Sequence, residues 1–121
     1  MAVISFSRKP EEQWVVAGWA FRQVLDDIIS QHPRDAQLRK HFALAKDLKY
    51  LILYMEEPEL SAKITNAIWE TITAILSGTA RSGIHDQPYG ESSAEQYHQA
   101  LQQLLETIPR SSSAHPEPEP P

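Results

Sequence analysis

The side chains that could do chemistry are few, and their spacing works against it. Gly78-Thr-Ala-Arg-Ser-Gly83 has the outer glycine spacing of a phosphate-binding loop, but Ile84 and His85 follow it. Phosphate binding needs Lys and Ser/Thr at those positions, to reach the phosphates and the magnesium, and no strand is expected before the loop. The segment reads as a flexible connector. Of the five histidines, His32, His41, His85, His98 and His115, none has another four residues away, the spacing that sets two metal ligands on one helix face. His85-Asp86 could join a divalent metal only with further helix-borne His and Asp ligands. The carboxylate pairs Asp26/Asp27 and Glu56/Glu57 are adjacent in sequence, so each pair splays around its helix. General acid/base work needs two groups brought together with their pKa values pushed apart. No serine sits in a nucleophile elbow. An enzyme is therefore not expected, and neither a cofactor nor a metal is implied.

Composition narrows the remaining classes. The chain has 121 residues and no cysteine, with 11 Lys plus Arg against 16 Asp plus Glu, a net charge of −5. One domain is expected, without disulfides, thiolate chemistry or a Cys-containing zinc site. The negative charge argues against nucleic acid, whose affinity comes mostly from basic side chains meeting phosphates. The charge is also unevenly spread. Arg34, Arg39, Lys40, Lys46 and Lys49 face only Asp35 and Asp47 in residues 34–49, whereas residues 50–121 set Lys63, Arg81 and Arg110 against ten acids. Neither a signal peptide nor a membrane span can be read, because the longest central apolar stretch, Tyr50 to Met55, has six residues. A cytoplasmic location is expected.

The elements that must position these residues follow from period and punctuation. A first helix is predicted over about residues 10–31. Pro10 suits its first position, Glu11 and Glu12 its positive end, and Trp14, Phe21, Leu25 and Ile28 its apolar stripe. His32-Pro33 ends it. A second helix is predicted over about 35–56, with Leu38, Phe42, Ala45, Leu48, Ile52 and Met55 as its buried stripe. Glu57-Pro58 breaks the chain, and a third helix runs to about 77 with Ile64, Ile68, Ile72 and Ile75 in register before a stop at Gly78. A fourth, over about 93–108, carries Tyr97, Leu101 and Leu104, with Ser92 and Glu95 spaced as a capping box. The expected fold is all-α: a small four-helix bundle over residues 1–109. Residues 110–121, rich in Pro, Ser and Glu, form a tail expected to be disordered. Trp14 belongs to the core. Trp19 lies roughly 180° from the stripe at 100° per residue, so it either anchors an interface or packs against a neighbouring helix or a dimer mate.

The order of these segments resembles a known family. One helix ends in Gln31-His-Pro, the next carries Ala45-Lys46-Asp47-Leu48-Lys49-Tyr50-Leu51, and a third contains Ile64-Thr65-Asn66 with Glu70 after it. An acidic loop then leads to the last helix. Over roughly residues 20–105 this resembles the small all-helical immunity proteins of bacterial type VI secretion that neutralise NAD(P)+-glycohydrolase toxins. The resemblance implies a non-enzymatic protein that binds a cognate toxin, plugs its NAD-binding cleft and is compatible with homodimerisation. It also implies partner-binding roles for Glu70 and Asp86. The charge map adds Glu56, Glu57, Glu59, Tyr89 and Glu91 as candidates, since acidic faces speed encounter with basic clefts. The alternative is a helical adaptor or assembly protein that uses Tyr50 to Met55 and Trp19 to associate with itself or a larger complex.

Overall fold

A computed structural model describes residues 1–87 and 92–109. Four helices, α1 (Gly18–Gln31), α2 (Ala36–Leu48), α3 (Pro58–Leu76) and α4 (Ser93–Thr107), pack with three short strands, β1 (Ala2–Ser5), β2 (Gln13–Val16) and β3 (Tyr50–Ile52). The sheet has the order β2-β1-β3, with β1 antiparallel to β2 and parallel to β3. The fold is therefore mostly helical, as expected, but not all-α.

The corrections fall on two of the predicted helices. The first begins only at Gly18; Pro10–Glu12 is a single 3-10 turn and Gln13–Val16 is a strand. Val15 and Val16, β-branched and awkward in a helix, fit the pleated sheet better. The second ends at Leu48, because Lys49 adopts a left-handed conformation with φ 65° and turns the chain out of the helix. Tyr50–Ile52 then becomes β3 and Leu53–Met55 a 3-10 turn. A six-residue run apolar on every side can be either a buried helix segment or a strand, and periodicity does not separate the two.

Alternation across the sheet shows which face meets the helices. Trp14, Ile4 and Leu51 are cross-strand partners and all are buried. In the next row Val15 and Tyr50 flank Val3 and are 55% and 43% exposed. One sheet face thus joins the core formed by Phe21, Val24, Ile28, Phe42, Ile68 and Leu101, while the other meets solvent. The Trp14 indole N–H donates to the Ala100 carbonyl at 3.1 Å, fastening β2 to α4.

The helix ends explain the boundaries read correctly. The Asp35 carboxylate accepts the Leu38 N–H and caps α2. Pro58 opens α3, with Glu59 in its positive first turn. Its exit is a Schellman turn: Gly78, at φ 84°, donates to the Ile75 carbonyl, and the Thr79 N–H donates to Ala74. Ser92 is the N-cap of α4 as expected, although its side chain makes no capping hydrogen bond. The expected disordered tail lies outside the described residues. Among the described residues no helix is long and apolar enough to cross a membrane.

Candidate functional site

The most strongly organised polar group is one whose burial was not foreseen. Asp26 and Asp27 do splay around α1: Asp26 turns outward to Lys46 at 2.6 Å, while Asp27 points inward and is buried. Each Asp27 oxygen accepts twice. Oδ1 takes the Gln23 amide at 3.0 Å and the Gly83 N–H at 2.9 Å; Oδ2 takes the Ser82 hydroxyl at 2.5 Å and the Tyr97 hydroxyl at 2.6 Å. A Cβ at residue 83 would lie 3.0 Å from the Gln23 amide nitrogen, so glycine lets the main chain approach. Burial and the neighbouring Asp27 charge push the Tyr97 phenol far above its ordinary value, so it remains a donor. The sequence signal was legible: Asp27 falls in helical register with Ala20 and Val24, on the buried face of α1. With both oxygens engaged, this hub ties loop, α1 and α4 together and offers no acceptor for acid/base chemistry. A cleft of about 470 Å³ beside it carries His85 and His98. Among the described residues no three His, Asp or Glu side chains converge as a metal ion would need.

Two of the candidate acids come together. Glu59 and Glu70 are exposed and line one shallow depression of about 560 Å³ with His32, Asp35 and Lys63. Eleven residues apart, they differ by about 20° around the helix, so α3 sets them in one column. Lys63, one turn on from Glu59, turns instead to Asp35 at 2.9 Å and to the Gln37 side-chain oxygen at 2.9 Å. Among the described residues Glu70 meets the imidazole of His32, at 3.7 Å. Glu57, at the N-terminal cap of α3, is exposed and does not line this depression.

Lys63, followed by the Leu38 N–H, holds the Asp35 carboxyl below its ordinary value. A carboxylate depressed in the folded state stabilises it above the ordinary value, and that contribution is lost as pH falls through the folded value. Stability should therefore decline on acidification below about pH 4. Asp35→Asn should lower the urea midpoint at neutral pH and flatten this acid limb. Urea titrations between neutral pH and acid measure both effects. An acid limb as steep in the variant as in the parent chain would contradict the assignment.

The other candidates disperse. Glu56 is half-buried and meets His41 Nε2 at 3.2 Å, beside a different depression from that of Glu59 and Glu70. Asp86 forms a two-pronged pair with Arg81 at 2.9 and 3.0 Å, and that guanidinium holds its carboxyl below the usual value. Its charge is thus largely answered within the loop. Trp19 is half-buried rather than exposed, since it packs on the core with its ring 6.5 Å from that of Tyr97. The helix it belongs to is covered by α4 on that side, which a single-helix projection could not show. Tyr89 and Glu91 lie outside the described residues.

A second surface was only partly foreseen. Between the end of α2 and β3 runs a groove of about 300 Å³ lined by Leu44, Leu48, Tyr50, Ile52 and Met55, with His41 and Glu56 at its edge. Leu44 is 57%, Leu48 45% and Met55 69% exposed. Tyr54 is exposed too, but the Arg8 guanidinium stacks over its ring at 5.4 Å. The sequence marked Tyr50 to Met55 as core or interface; the fold makes it both, with Leu51 and Leu53 inside and Tyr50 and Met55 outside.

No family model matches the chain, and neither a curated protein nor a solved structure matches it.

Proposed function

We propose that this chain works by binding a protein, and that its role is that of an immunity protein which neutralises a secreted toxin by covering its active-site cleft. The observation that supports this best is the column of Glu59 and Glu70 on α3. Both are exposed on a rigid helix, and neither meets Lys or Arg within ion-pair distance among the described residues. Glu59 also complements the positive end of α3. Glu70, in mid-helix, meets His32 at 3.7 Å and no Lys or Arg among the described residues, and acids not answered by a fixed cation are available to steer a basic cleft. The sequence resemblance over roughly residues 20–105 supports the toxin class, an NAD(P)+ glycohydrolase, with Tyr50 and Leu51 of its second segment in β3 and not in a helix.

The test is growth rescue. The chain is co-expressed with type VI NAD(P)+-glycohydrolase toxins, including any encoded beside its own gene, and complex formation is measured by titration. Glu59→Lys with Glu70→Lys should weaken binding by about 10- to 100-fold, mostly through slower association and most clearly at low salt. The variant's far-UV circular dichroism should match that of the parent chain, and its urea midpoint should fall only slightly, through the lost contact of Glu59 with the positive end of α3. Absence of rescue across these toxins overturns the function. Rescue that survives the double reversal overturns the surface.

A further inference from the structure

We infer that the groove beside β3 is filled by a second copy of this chain, the two β3 edges pairing antiparallel about a two-fold axis at Leu51. The inference uses a different face from the acidic column of α3 and stands apart from the toxin reading.

In the order β2-β1-β3 both outer strands are edges, and β3 is the one that borders the apolar groove. On β3, the Val3 N–H donates to the Lys49 carbonyl. In a parallel pair the inward groups alternate, so Lys49 and Leu51 face β1 while the main-chain groups of Tyr50 and Ile52 point away from it. An exposed edge of this kind is a template for another strand. With Leu51 on the axis, Tyr50 of one copy stands opposite Ile52 of the other at both ends. Their outward N–H and C=O groups can then bond reciprocally, and an aromatic side chain meets a β-branched one.

Charge selects the occupant and the direction. Lys49 precedes the strand and Glu57 follows its 3-10 turn, and both are exposed. Antiparallel pairing carries Lys49 of each copy toward Glu57 of the other, whereas parallel pairing would set Lys49 near Lys49. One chain thus supplies both complementary flanks, as a two-fold interface requires. Three residues of strand give few main-chain bonds, so most of the affinity must come from burying Leu44, Leu48, Tyr50 and Met55. The expected dissociation constant is about micromolar.

Sedimentation equilibrium of the full chain tests this. The expected result is a concentration-dependent mass that rises to twice that of the chain. Leu48→Asp with Met55→Asp should hold it at the monomer mass with unchanged far-UV circular dichroism, because both side chains already face solvent. Lys49→Glu and Glu57→Lys should each weaken the dimer by about fivefold, and together restore it. A chain monomeric up to about 100 μM overturns the inference, since a micromolar dimer would be fully formed there. So does a dimer that survives Leu48→Asp with Met55→Asp. Charge reversals that add instead of cancelling overturn the antiparallel arrangement. A monomeric chain whose toxin rescue is lost in the Leu48→Asp, Met55→Asp variant would give the groove to the toxin. Glu59→Lys with Glu70→Lys should leave sedimentation unchanged, so the two readings fail separately.

Discussion

Asp27→Ala is expected to lower the free energy of unfolding by about 3–5 kcal/mol. The side chain is 4% exposed and receives four donors. Truncation leaves the Ser82 and Tyr97 hydroxyls, the Gly83 N–H and the Gln23 amide facing a void too small to restore their bonds to bulk water. Loss of a buried polar partner costs the desolvation of every group left behind, which is why the effect exceeds that of any one hydrogen bond. Asp27→Asn separates charge from shape. The amide keeps the volume but turns one acceptor into a donor, so the hydroxyls must rotate to receive it, and roughly half the loss is expected. Urea unfolding by tryptophan fluorescence measures both. Equal, small changes in the two variants would mean that the hub contributes little.

Trp14→Ala should cost about 3–5 kcal/mol for a different reason. Trp14 is 2% exposed, stands beside Ile4 in the sheet and reaches Ala100 on α4. Removing the indole opens a cavity where sheet and helix meet, and its rigid walls cannot collapse to fill it. The Ala100 carbonyl belongs to α4, so the lost indole hydrogen bond is a minor part. Trp14→Phe should therefore recover most of the stability, leaving about 1–2 kcal/mol missing. Thermal unfolding by circular dichroism reports the order parent chain, Phe, Ala. A Phe variant as unstable as the Ala variant would show that the hydrogen bond, not the volume, holds β2 to α4.

The acids show how far charge patterning carries. The excess of acid after residue 50 was legible from counting, but its spatial distribution was not. Glu56 meets His41 at 3.2 Å and Asp86 is held by Arg81, whereas Glu59 and Glu70 share one face, Glu70 with His32 at a longer 3.7 Å. Asp86 pairs across a loop turn whose course depends on Ser82 and Gly83 being held by Asp27. Such pairings depend on backbone direction, which residue type does not encode.

What the sequence by itself determined is local. Apolar steps of three and four residues marked α3 and α4 and the cores of α1 and α2, and Pro58 and Gly78 marked where α3 begins and ends, because helical hydrogen bonds close within one turn. Trp14 was also placed in the core correctly, though on the wrong kind of element. Only the tertiary structure decided that Ala2–Ser5, Gln13–Val16 and Tyr50–Ile52 are strands. Each is three or four residues long and apolar enough to suit either state, and each is fixed by partners elsewhere in the chain: Val3 meets both Val15 and Tyr50. Helical register puts Asp27 on the buried face of α1, but its partners Ser82, Gly83 and Tyr97, like the free edge of β3, are set by contacts between segments far apart in sequence. Period and composition do not specify such contacts.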